Sequence, residues 1–556
     1  METPEPGSGG GAAGPLGFVR ALSTAGRRGC VSTGRSVTIS AMALSRRELL
    51  WGAGMAGLGL ACRRSPQVQV GRIAVPRGVA AGDVSGDRAV IWSQSDRPGQ
   101  LLVEWDTSAR FAAPRRVVGP TVTAASAFTG IVELTGLPAG QTVSYRVTFV
   151  DGRDASAPIV GRFATPPPAG ATWRFAWSGD TCGQGYGRNP DHGGLRIYQA
   201  IAAAEPRFFL NSGDLIYADN PIPPSITLPD GRVWRNQTDE TLARVAESLD
   251  DFRHRFAYNL DDPHLQGFLA GCPVIAQWDD HETRNNWYPG QQLDDPRYRE
   301  RDASTLAARA RQALFEFTPI ARGAAGLAAP IQRVIHYGPD LDVIVVDLRS
   351  FRTANDRNRG DDDRAAMLGT AQARWLVEAL AASRATWKIV ACDQPVGLVI
   401  PDGDGADPAH EGWPQGDAGP PRGRERELAW VLGELHRRGV ANVVWLTADV
   451  HYAAAHHYDP ARGQAGPFTP FWEFVAGPLH AGSFGPNPLD PTFGPEARFV
   501  WAPPPGTGNL APWDGLQSFG TVEHDGRSRA LTVRLHGPDG GERHAVTLAP
   551  SRGGPG

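Results

Sequence analysis

The sequence predicts a layered α/β domain preceded by an all-β sandwich, and three observations carry that prediction. Four short apolar runs, at 174–178, 208–210, 274–278 and 443–446, each end abruptly in metal-binding residue types. Segments of helical periodicity separate these runs from Trp173 onward, so strands and helices alternate as they do in layered α/β folds. Before Trp173 the pattern shifts to short strands of alternating polarity divided by Gly/Pro turns, which indicates a β-sandwich of immunoglobulin or fibronectin type.

The chain opens with a low-complexity Gly/Ala/Ser extension over 1–41, and Met42 is a plausible start, which would leave that stretch untranslated. Over 42–65, Ser45-Arg46-Arg47-Glu48-Leu49-Leu50 resembles a twin-arginine export signal, with 49–62 as its apolar region. That region is too short and too rich in glycine to read as a membrane-spanning helix. The signal implies passage through the twin-arginine export machinery, which carries folded proteins, to a periplasmic, cell-wall or extracellular location. Leu60-Ala61-Cys62 also resembles a lipoprotein cleavage site, which leaves a lipid anchor at Cys62 open, although Gly59 stands where such signals prefer leucine.

The sandwich is expected over 70–166, with strands at 89–94, 100–106, 126–134 and 143–150 and a stiff Pro166-Pro167-Pro168 linker after it. It carries no cluster of catalytic residue types, so a positioning or shielding role is expected. The layered domain is expected over 171–550. Helices are predicted at 195–204, 303–317, 370–383 and 424–437, and further strands at 341–346 and 387–391. The Pro-, Asp- and Asn-rich stretch 221–301 reads as long surface excursions, and the Gly/Pro-dense stretch 477–515 as a cap, closed by a strand pair at 530–535 and 544–548.

Composition narrows the class. Across 556 residues the net charge is −4, so no basic surplus argues for nucleic acid, and 41% of residues are hydrophobic, ordinary for a chain with a sizeable core. Five cysteines, scattered along the chain, are too few for a disulfide framework. Cys272 and Cys392 fall inside predicted strands and read as small core residues. Cys182 lies past a strand end, two residues from Asp180, where a ligand role competes with that default. Asp449 and His451 share one strand end at i, i+2, which on an extended backbone would point both the same way. Asp347 and Asp393 also follow strands but read equally as caps or turn formers and are left outside the candidate site.

Residues just past the carboxyl ends of strands are where open α/β sheets build their sites. Carboxylates beside imidazole and thiolate suit a transition metal next to a second, harder ion. The motifs Gly213-Asp214-Leu215-Ile216-Tyr217, Trp278-Asp279-Asp280-His281-Glu282, Asp347-Leu348-Arg349-Ser350-Phe351-Arg352, Asp449-Val450-His451 and Gly477-Pro478-Leu479-His480 stand in an order and spacing that resembles the PhoD-type alkaline phosphatase/phosphodiesterase family. That family belongs to the calcineurin-like metallophosphoesterase superfamily, and the resemblance runs from about Gly78 to the last strand.

The resemblance implies a metallophosphoesterase domain of two sheets flanked by helices and a two-metal site. Asp214 would bridge the metals. Cys182, Tyr217 and His451, with Asp180 nearby or contributing, would hold Fe(III). Asp280 and Asp449 would hold Ca, Mn or a similar hard ion. His281 would assist the leaving group, with a metal-bound hydroxide as nucleophile. Arg349 is the better candidate for a phosphate contact, with Arg352, Asn286 and His480 weaker; a structural salt bridge is the competing role for Arg349. Ala448 stands where the family motif has glycine and could crowd its loop. The implied activity is hydrolysis of small phosphate mono- and diesters by a monomeric enzyme. Two alternatives stand beside it: a phospholipase D-like hydrolase of phospholipid head groups, and a metal-stabilised cell-surface binding protein.

Overall fold

In the computed structural model, residues 72–152, 154–360, 364–403, 405 and 407–551 are described. The extension 1–41, the export signal 42–65 and Cys62 lie outside the described residues. No helix among the described residues is long and apolar enough to cross a membrane.

Strand alternation builds two facing sheets. In Trp173–Ser178, Phe175 and Trp177 point to one side and Ala176 to the other; Phe208 and Leu210 oppose Phe209 in the same way. The first set shares one core with Val343, Val345, Ile389, Val444, Leu446 and Phe474 of a second sheet. The reverse face of the first sheet packs Phe209 and Ala276 against the helices Ile197–Ala203, Leu249–Leu260, Pro263–Gly271 and Ala303–Phe317. On the second sheet, Ile344, Val390 and Trp445 pack against Gly369–Ala382 and Glu425–Arg437. The result is helix, sheet, sheet, helix, with the central strands of each sheet buried on both faces.

The first sheet has nine strands, in the order Glu542–Leu548, Leu531–His536, Phe519–His524, Trp173–Ser178, Phe209–Asn211, Val274–Ala276, Val79–Ser85, Arg88–Gln94 and Thr129–Leu134. Its three central motif strands run parallel, with Phe209 opposite both Ala176 and Val274. The second sheet has seven, with Leu341–Val345, Trp387–Ala391, Val443–Thr447 and Phe471–Val475 parallel to one another. Parallel strands end on one edge, so the motifs at their carboxyl ends are gathered together.

Three features differ from the sequence reading. The strands of the amino-terminal region share a core of their own, in which Ala81 and Ile91 meet Leu101, Val103, Tyr145 and Phe149. That region is nevertheless joined to the layered domain, because Val79–Ser85 enters the nine-stranded sheet through the pair Gly82 and Val274. A Cβ on residue 82 would lie 2.5 Å from Pro319 Cγ and 2.7 Å from the Val274 carbonyl, so glycine permits the join. The stretch 221–301 is not mainly surface excursion. Ser248 and Asp251 form a capping box that starts Leu249–Leu260, whose Phe252, Phe256 and Leu260 recur at helical spacing and are buried. Asp262 caps the next helix, with Pro263 at its first position. The closing strand pair belongs to the first sheet, where Phe519–His524 pairs with Trp173–Ser178.

Candidate metal centre

Three groups of carboxylates and imidazoles stand at the strand ends, each with ligand atoms within 4.8 Å of one another. The first is Asp180, Asp214 and His451; the second is Asp279, Asp280 and Asp449; Asp214, Asp280 and His281 link them. Asp214 and Asp280 thus each belong to two groups. Several of these residues take left-handed backbone conformations, with φ of 68° at Asp180, 50° at Asp214, 69° at Asp449 and 62° at His451. Such a conformation costs a non-glycine residue roughly 1–3 kcal/mol and persists where surrounding structure imposes it. Asp449 and His451 are therefore not on extended backbone. They lie beyond the strand Val443–Thr447 and point to different groups rather than jointly to one.

Close backbone approach sets the spacing. A Cβ on Gly213 would fall 2.5 Å from Asp279 Cβ, so the loops bearing Asp214 and Asp280 touch there. Glu282 locks the same junction, its carboxylate accepting from the backbone N–H of Leu215 at 2.7 Å and of Asp279 at 2.8 Å. The methyl group of Ala448, which could have crowded its loop, faces Gly179 and Gly477, neither of which has a side chain.

At the first group, the Tyr217 hydroxyl lies 2.8 Å from His451 Nε2, and His451 Nδ1 lies 2.5 Å from the Gly482 carbonyl. That carbonyl requires Nδ1 to carry the proton, which leaves Nε2 as a lone-pair donor turned toward Asp180 and Tyr217. Burial lowers the His451 pKa to about 4, so the ring is neutral and able to ligate. At the second, the backbone N–H of Asn286 donates to Asp280 Oδ2 at 2.5 Å. The Asn286 side chain turns away and donates to Asp402 at 2.9 Å. His281 sits beside both groups. Its Nδ1 is 2.6 Å from Asp219 Oδ1, and its ring lies 4.2 Å from that of Tyr217. Burial pulls the His281 pKa down, but the charges of Asp219 and Asp280 outweigh it and raise it to about 9.

These residues fit cations. Both oxygens of Asp180 and Oδ1 of Asp280 are buried without a hydrogen-bond partner. Burial, with the neighbouring carboxylates adding to it, pushes Asp180, Asp214 and Asp449 well above the usual carboxylate range. Asp180, Asp214, Asp279, Asp280, Asp393, Glu411 and Asp449 crowd a space where Arg349 and Arg352 are the interleaved guanidinium groups. Negative charge on that scale is stable in a low-dielectric interior when positive ions offset it.

One expected ligand lies elsewhere, and one expected substrate contact is enclosed by the carboxylates of the site. Cys182 joins none of the groups. Its thiol is in the apolar core with Leu195, Ile197 and Tyr198, and burial raises its pKa. Asp180 and Cys182 both take left-handed backbone conformations, with φ of 68° and 65°, so the extended alternation that would point i and i+2 the same way does not hold across them. Arg349 is fully buried and is bound on several sides by carboxylates. Its Nε donates to Asp279 at 2.7 Å, and its two Nη groups reach Asp279 and Glu411. Arg352 is buried beside it, near Gln394 and Glu411. His480 contributes its backbone, while its ring bonds the Gly187 carbonyl at 3.0 Å.

Sequence reasoning missed Asp279, Asp219, Glu282, Asp393 and Glu411. Asp279 and Glu282 flank the motif residues Asp280 and His281, and that adjacency was the available signal. Asp219 stands five positions after Asp214, with nothing local to mark it. Asp393 follows a strand end as the ligands do, whereas Asp347 is a turn former, accepting from the N–H of Arg349 and Ser350.

With this geometry in place, the comparisons agree. A family model described as PhoD-like phosphatase matches residues 175–535, and one described as PhoD-like phosphatase, N-terminal domain, matches residues 61–167. Alkaline phosphatase D of Bacillus subtilis (strain 168) is 28% identical over 481 residues, covering 79% of this chain and 77% of that protein. A solved structure of PhoD superposes with a TM-score of 0.63 at 20% identity, covering 85% of this chain and 89% of that one. Purple acid phosphatase PPD1 from yellow lupin seeds superposes at 0.51 with 13% identity, covering 86% of this chain and 74% of its own; these two likenesses show the fold. The chain belongs to the PhoD-like phosphatase family and is a phosphoric ester hydrolase of the PhoD type.

Proposed function

We propose that this protein is an exported, two-metal hydrolase of small phosphate monoesters and diesters. The observation that carries the reading is the pair of ligand groups joined by Asp214, with His281 beside both. Asp180, Asp214, Tyr217 and His451 would hold one ion, and Asp214, Asp280 and Asp449 the other. Phenol and imidazole in the first set favour Fe(III), and the all-carboxylate second set favours Ca or Mn. Bound there, the ions would supply Lewis acidity and a deprotonated water near neutral pH.

The chain's own residues do the rest. Asp219 holds the His281 ring at Nδ1 and favours its protonated form. Protonated Nε2 is then free to donate to the leaving oxygen as charge develops there. Gly482 and Asn286 fix His451 and Asp280 through backbone atoms. Phe468 and Phe471 are buried in the core of the second sheet, and Trp472 and Phe499 are partly buried. Phe484 packs near the site, its ring 5.4 Å from that of His451. The twin-arginine signal, read from the sequence, supports export.

Hydrolysis of a bis-aryl phosphodiester and an aryl phosphomonoester by the chain loaded with iron and calcium tests the proposal, with Asp214→Asn as control. Turnover that vanishes in the variant is expected. No turnover of either ester with both ions bound would overturn it.

A further inference from the structure

The buried Arg349 lies at the centre of the acidic end of the site, enclosed by carboxylates. Its Nε is 2.7 Å from Asp279 Oδ1 and 3.4 Å from Asp393 Oδ2, and its Nη1 meets Glu411. Its Nη2 also lies 3.9 Å from Asp280 Oδ1 and 3.7 Å from Asp449 Oδ1. Asp279, Asp393 and Glu411 are therefore the near partners, and Asp280 and Asp449 stand just outside hydrogen-bonding reach. The guanidinium is fully buried, so water screens none of this.

We propose that Arg349 is a positioning residue, a built-in third cation around which the second metal position is assembled. Three carboxylates hold the guanidinium in place, and its remaining edge faces Asp280 and Asp449. That edge orders the two carboxylates without bonding them, so their oxygens stay available to an external ion. The planar fork matters because one group must satisfy Asp279 and Glu411 in different directions at once, which a single ammonium could not do. Without Arg349, Asp279 and Asp393 would lose their nearest cation, and Glu411 would keep only Arg352, 3.6 Å away. They would then either draw the external ion away from Asp280 and Asp449 or drive local rearrangement.

The inference rests on the two-metal reading, and the wild-type arm of the test separates the two. Metal content and second-ion affinity are measured on the full chain by elemental analysis and calcium titration, for wild type and Arg349→Ala, without and with millimolar methylguanidinium. Wild type that fails to take up two ions would defeat the two-metal reading itself. With two ions bound by wild type, the expected result is a loss of second-ion affinity in Arg349→Ala of about 10–100-fold, the range for residues that orient metal ligands. Methylguanidinium, which fits the vacated space, should restore most of it. Unchanged or raised calcium affinity in the variant, with only KM increased, would overturn the proposal and return Arg349 to a substrate role. Should Arg349→Ala fail to fold, Glu411→Gln is read in its place. Removing one partner lets the guanidinium lean onto Asp280 and Asp449, so calcium affinity should fall severalfold, and an unchanged value again overturns the proposal.

Discussion

Nδ1 of His281 lies 2.6 Å from Oδ1 of Asp219, and both residues are buried. Asp219 also accepts from the backbone N–H of Asn285 at 3.0 Å, so the carboxylate is fixed before it meets the ring. This pair links the Gly-Asp loop to the loop bearing Asp280 and favours the protonated form of His281.

His281→Ala should lower kcat by about 10²–10⁴-fold, the range for a lost proton donor, with both metal positions still filled. Steady-state kinetics beside elemental analysis checks this. Loss of bound metal along with activity would move His281 into the ligand set.

Asp219→Asn should move the alkaline limb of the kcat profile to lower pH. The protonated imidazole is the working form of a proton donor, so activity is present below its pKa and lost as pH rises through it. Burial alone lowers that pKa, and Asp219 is the leading influence raising it to about 9, so its removal brings the loss in at lower pH. A pH–rate profile of variant and wild type reads the shift; coincident alkaline limbs would contradict the pairing.

Asp214→Asn should abolish turnover and remove the response of Tm to added metal. An ion bound only to the folded chain stabilises it by mass action, so wild type should melt lower after chelation and recover on reloading. The variant, with the shared carboxylate gone, should melt at one temperature in both conditions.

Cys182→Ala should leave metal content unchanged and cost stability only, on the order of 1 kcal/mol for a small buried side chain. Denaturant unfolding and elemental analysis together decide it. A variant that loses iron would return Cys182 to the first metal position.

Local chemistry set the reach of the sequence. Strand ends, four helices of the layered domain and most of the carboxylates that meet at the strand ends were legible, because alternation, capping and motif spacing are local. The direction of Cys182 follows from left-handed backbone at Asp180 and Cys182, with φ of 68° and 65°, which strand spacing does not announce. For Arg349 the sequence left a phosphate contact and a structural salt bridge both open. Its partners Asp279, Asp393 and Glu411 come from three other segments, and no spacing announces that they enclose it. The helices within 249–271 carried a readable capping box at Ser248 and Asp251, hidden by the surrounding Pro, Asp and Asn.

Gly82→Val tests whether the amino-terminal region is structurally continuous with the catalytic layers. The added side chain would begin 2.5 Å from Pro319 Cγ and 2.6 Å from its carbonyl oxygen, against backbone that cannot turn aside. Overpacking of this kind costs about 1–3 kcal/mol, and here it falls on the one register pair joining Val79–Ser85 to Val274–Ala276. Tm should drop, while kcat measured well below the transition should hold, because the metal-facing loops leave the opposite end of Val274–Ala276. An unchanged Tm would mean that the strand can part from the sheet at little cost and that the amino-terminal region is an independent module. A lower kcat at full metal occupancy would mean that strain at Gly82 reaches Asp280 through the strand they share as a neighbour.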